Sequence, residues 1–156
     1  MSSTQIDIGN LSDLLAASVK VYGAGTAYAL TATPAAIDLG TTDPALVIQT
    51  PGTYRLRGQC IINYTGATFA ANRDVTIKLR RTNNTAADVA NATATITTDI
   101  VTTATGTLAI LDLPVVDYAT VNADDAISMF GSVSVVPTAG SLDVVSAYVY
   151  AEKILT

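Results

Sequence analysis

The sequence has no histidine and no tryptophan, a single cysteine, and only two phenylalanines and two methionines in 156 residues. Lack of histidine removes the usual general base, the Ser-His-Asp and Cys-His arrangements, and most zinc and copper sites. Cys60 has no internal disulfide partner and reads as a small core residue. Without tryptophan, and with most tyrosines at strand positions, the aromatic platforms that accompany a glycosidase carboxylate pair are missing. Neither GxxxxGK[ST] nor GxGxxG occurs, and no helix pattern follows Gly23-Ala24-Gly25. Together these absences predict a protein that is not an enzyme and takes no cofactor.

Charge is also scarce. Charged residues make up 13% of the chain against 49% hydrophobic, about half the usual charged share. No apolar run approaches the roughly 20 residues a membrane-spanning helix needs, so no membrane is expected. A surface so poor in charge suggests cover by partner subunits, although Ala mixed with Thr, as in ATATITTDIVTTATGT, is a milder explanation. The stretch MSSTQIDIGN has neither a basic n-region nor an apolar h-region, so no secretory signal is expected.

The charges present are segregated. From Pro44 to Ala87 six bases face one acid, a net of +5, while the remainder holds two bases and 12 acids, a net of −10. Such polarity favours association with an acidic partner or with another copy. The acidic total and the lack of aromatic-basic interleaving argue against nucleic acid.

The longest two-residue alternation is PGTYRLRGQCIINYTG, Pro51 to Gly66. Tyr54, Leu56, Gly58, Cys60, Ile62 and Tyr64 fall on one face; Arg55, Arg57, Gln59, Asn63 and Thr65 fall on the other, with Ile61 as an apolar intruder. That is a half-buried strand, long enough to be central in its sheet. In DVTIKLRRT, Val75, Ile77 and Leu79 should face in and Thr76, Lys78 and Arg80 out. If this strand lies near the central one, Arg55, Arg57, Lys78 and Arg80 make one basic stripe, a candidate partner contact; a plain charged rim is the competing reading. Shorter strands are expected from Ala27 onward, in ALVIQT, in ATATITTDIV after a polar loop from Asn83, and in TLAILDL, with Pro114 demoting the segment after it to an edge. Asn122 to Asp125 and Pro137 to Gly140 read as turns, the former a weak calcium candidate through Asp124 and Asp125.

Two ends stand apart. Leu11, Leu14, Leu15 and Val19 recur at spacings of three, one and four, with Ser12 as N-cap, which predicts a short amphipathic helix or arm over residues 1–22 that meets a partner or packs on its own domain. The same residues also allow a strand at Ser18–Tyr22. In SLDVVSAYVYAEKIL, Val145, Ala147, Val149 and Ala151 form one apolar face, and Val144, Tyr148 and Tyr150 lie opposite. A strand apolar on both faces needs cover on both, and tyrosines suit a subunit contact. The fold class expected is therefore all-β, an antiparallel jelly-roll sandwich of eight to ten strands over residues 23–156, with a short N-terminal helix or arm.

Pro51-Gly52-x-Tyr54 opening a long strand, Asp124-Asp125 before an alternating strand (Ile127, Met129, Gly131, Val133), and a final strand after Gly140 with aromatics near its end resemble the C1q/tumour-necrosis-factor superfamily of trimeric jelly rolls. The resemblance implies a homotrimer with Val144, Tyr148 and Tyr150 at the interface. With no signal peptide, stem or anchor expected, the chain looks more like the jelly-roll decoration (cement) proteins and fibre heads of tailed bacteriophages. It implies a virion protein made in the host cytoplasm, with the major capsid protein as partner and Leu11, Leu14, Leu15, Arg55, Arg57, Lys78 and Arg80 as contacts. A receptor- or carbohydrate-binding head, reading its target through loops Gly66 to Arg73 or Asn83 to Asn91, is the alternative.

Overall fold

A computed structural model describes residues 26–39, 45–69, 72–98 and 104–154, and the backbone of 18–22. Among these there is no helix. The strands are β1 (Ser18–Tyr22), β2 (Tyr28–Ala29), β3 (Ala35–Ala36), β4 (Ala45–Ile48), β5 (Gly52–Thr68), β6 (Arg73–Arg81), β7 (Ala87–Thr98), β8 (Thr105–Asp112), β9 (Val116–Thr120), β10 (Asp125–Val133) and β11 (Ala139–Ile154). Every pairing is antiparallel. The expected all-β sandwich is what the chain forms.

One sheet has six strands, ordered β1-β11-β5-β8, with β2 also on β11 and β9 also on β5. The other has five, ordered β3-β10-β6-β7, with β4 also on β10. As its alternation predicts, β5 is central, flanked by β11 on one side and by β9 and β8 in succession on the other. Its inward residues Tyr54, Leu56, Cys60 and Ile62 are buried, and so are Val75, Ile77 and Leu79 of β6. Together with Ile127, Met129, Val133, Leu142, Val149 and Ala151 they fill the space between the sheets. Burial of each large aliphatic side chain contributes about 1.5–3 kcal/mol.

Three details depart from the sequence reading. Ser18–Tyr22, including Val19, is a strand on β11, so the strand alternative holds there; Leu11, Leu14 and Leu15 lie outside the described residues. The polar loop after Asn83 is short, because Ala87 to Asn91 already belong to β7. Finally, β11 is not one uninterrupted alternation. A register shift between Val144 and Ser146 reverses its parity, so Leu142 and Val144 are inward before it and Ala147, Val149 and Ala151 after it. At the start of β11, Gly140 has φ +70° and sits where a Cβ would lie 2.1 Å from the Thr65 carbonyl oxygen, a position only glycine fills.

Candidate functional site

The outer face of the six-stranded sheet carries the groups singled out from the sequence. Tyr148 and Tyr150 of β11 are half-buried on it, opposite Gln59 and Arg57 of β5. The Arg57 guanidinium carbon stands 5.9 Å from the centre of the Tyr150 ring and 3.8 Å separates its nitrogen from Glu152. Next along β5, Gln59 Nε2 donates to Asp112 Oδ1 at 2.7 Å. One row further, Ile61 faces Ile110 of β8, and Ile110 is 60% exposed. The intruding Ile61 is thus half of a cross-strand apolar pair. Its partner is hidden in TLAILDL, where both faces are apolar.

Val144 does not belong to this face. It is fully buried in the core, because the irregularity at Val145 turns β11 over between Val144 and Tyr148. Its assignment as a subunit-interface residue is corrected on that ground.

Nor is there one basic stripe. Arg55 and Arg57 lie on β5 in the six-stranded sheet, Lys78 and Arg80 on β6 in the five-stranded sheet, and both pairs point away from the core they sandwich. Alternation tells which residues face outward, but not from which sheet. Each base also has an acid beside it: Arg55 is 3.1 Å from Asp117, Lys78 is 2.7 Å and Arg80 3.8 Å from Asp88. The charge segregation along the sequence is therefore largely undone by strand pairing. Solvent screens a pair such as Arg55–Asp117, half exposed on both sides, so it adds little to stability.

The Asp124-Asp125 turn is a structural knot. Asp124 is exposed with φ +63°, whereas Asp125 is completely buried. The Asp125 carboxylate accepts hydrogen bonds from Thr120 Oγ1, from the Tyr118 hydroxyl at 2.9 Å and from Asn84 Nδ2 at 2.9 Å, with Arg81 at 3.9 Å. Burial pushes the carboxyl upward, but the bonds from Thr120, Asn84 and Tyr118 and the Arg81 charge outweigh it and hold the group below its ordinary value. Burial, then the bond to Asp125, raises the Tyr118 phenol. Asn83 clamps the same turn, bonding the Asp124 carbonyl and accepting from the Ala126 amide. With its oxygens committed to protein donors, Asp125 is poorly placed to bind calcium. Among the described residues no group of three or more His, Cys, Asp or Glu side chains gathers to hold a metal.

Cys60 lies on the inward face of β5, 1% exposed. Burial, and secondarily the Asp112 charge, pushes its thiol up to about 12, so it is a poor nucleophile at neutral pH. No protein-family model matches the chain, and no curated protein matches it.

Proposed function

We propose that this chain is a structural virion protein, a homotrimeric jelly-roll decoration protein that binds and stabilises the head of a tailed bacteriophage. One observation carries the self-association: Tyr148, Tyr150, Ile61 and the 60% exposed Ile110 share the outer face of one sheet. Aromatic residues with apolar neighbours are favoured at interface centres. The trimer and its setting follow from the jelly-roll resemblance. Arg57, stacked over Tyr150, belongs with the self-contact and Arg55 flanks it. The capsid contact then falls to Lys78 and Arg80 on the opposite face, with Leu11, Leu14 and Leu15. Stabilisation would work by mass action, since a ligand that binds only the assembled shell favours it, and three linked contacts add avidity.

Light scattering behind size exclusion tests the first half. A mass of three 16.0 kDa chains, about 48 kDa, or a multiple of it supports it, and a stable monomer or dimer sinks it. Co-sedimentation with decoration-free heads tests the second half, and failure to bind counts against the capsid role. The alternative, a carbohydrate-binding head, draws on Tyr148 lying beside the Gln59–Asp112 pair; binding on a glycan array without binding to heads would favour it.

A further inference from the structure

We infer that the β7 edge of the five-stranded sheet is a second self-association site, where another copy of this chain adds antiparallel, strand to strand, about a two-fold axis at Thr95. This contact lies on the other sheet from Tyr148 and Tyr150 and does not depend on the proposed trimer.

An exposed sheet edge is a template for another strand, and proteins commonly guard it with charge, proline, shortness or bulges. The edges here are not guarded alike. On one side of the five-stranded sheet the edge consists of β3 and β4, two and four residues long. In the six-stranded sheet, the edge formed by β8 and β9 carries Asp112 and Asp117 with Pro114 between them, while the other edge has two-residue β2 and Lys20 in mid-β1. By contrast β7 runs for 12 residues, and no described strand pairs with it on the side away from β6. Its irregularity lies early, where Asn91 has φ +61° and the register with β6 shifts. Beyond that point Thr93 to Thr97 is regular and contains no charge, proline or glycine.

These five residues are also self-complementary. An antiparallel pair related by a two-fold axis must place an even sum of residue numbers opposite one another, so that facing side chains share a side. Centred on Thr95, the midpoint, all five residues pair. Thr95 then meets Thr95 of the second copy, and Thr93 meets Thr97, on the outer side where all three are exposed. On the inner side Ala94 meets Ile96, small against large, and both are half-buried against the core. Cross-strand Thr-Thr pairs are favourable, and no like charges are opposed. Centring on Ala94 or Ile96 instead shortens the ladder or opposes two isoleucines.

The register makes a sharp test. Directly opposed residues have Cα atoms about 4.5–5.5 Å apart, within disulfide range, whereas two copies of residue 97 would be offset by about 13 Å along the strand. Thr95→Cys, oxidised with copper-phenanthroline and run without reductant, should give a band at twice 16.0 kDa. Thr97→Cys alone should not, and the Thr93→Cys/Thr97→Cys double variant should recover it. Native Cys60 is too buried to interfere. As a second readout, Thr95→Lys, which opposes two charges across the axis, should reduce the native mass, while Tyr148→Ala/Tyr150→Ala should leave the Thr95→Cys cross-link intact. Equal cross-linking at 95 and 97, or none at 95, would overturn the assignment.

Discussion

The Tyr118 hydroxyl, at the far edge of the six-stranded sheet, donates to Asp125 Oδ2 at 2.9 Å, and Asp125 is the first residue of a strand in the opposite sheet. The bond ties the sheets together at one end of the sandwich, around a carboxylate with no solvent access. A buried charge held by several donors is costly to disturb, because removing it leaves those donors without a partner.

Asp125→Ala should therefore lower stability by about 3 kcal/mol. Asp124→Asn next to it, exposed and in a backbone region asparagine tolerates, should stay within about 0.5 kcal/mol. Urea midpoints of the two variants check this; equal losses would mean that the knot has no special role.

The same group sets an acid limit. Its folded-state pKa lies below the ordinary 3.8, so its stabilisation is fully present above that value and is lost as pH falls through the folded value. The melting temperature should hold above about pH 5 and drop below about pH 4. In Asp125→Asn that part of the fall should vanish from a thermal series at constant ionic strength.

Cys60 should be silent to thiol reagents while the protein is folded. Its thiol is pushed up to about 12 and is 1% exposed. Labelling at pH 8 should need unfolding and rise with urea in step with the unfolded fraction, as read by intact mass. Fast labelling of the folded chain would show that the strand opens locally.

Gly58 sits where an added Cβ would come 2.7 Å from Leu113 Cδ1 and 3.1 Å from Met129 Cε. Gly58→Ala should cost about 1–3 kcal/mol through overpacking. Leu113→Val in that background, which shortens the clashing branch, should recover part of the loss in a denaturant series.

Legibility in the sequence followed uninterrupted alternation. The inward faces of β5 and β6 could be read directly because parity never breaks between Tyr54 and Ile62 or between Val75 and Leu79. It broke in β11, where one extra residue at Val145 moved Val144 into the core, and composition gives no sign of that residue. The basic stripe failed for another reason: parity assigns a side chain to a face of its own sheet, but pairing decides which sheet. Asp125 could be seen as a turn residue, whereas its burial depends on Asn84, 41 positions away, which no local pattern reveals. The outer face was half visible, through Tyr148, Tyr150 and Ile61, and Ile110 emerged only with the register of β8.

The position of β11 has a consequence for the order of events in folding. Among the described strands it comes last, yet it lies inside its sheet, between β1 and β5, matching β5 from Thr53 to Thr68. Until β11 arrives, β5 has one long side open and β1 has no partner strand. Pairings between such distant segments slow folding and leave sticky edges exposed meanwhile. A chain interrupted near Gly140 would retain most of its hydrophobic residues while lacking the strand that lets them close, and should be recovered as aggregate rather than as a smaller sandwich.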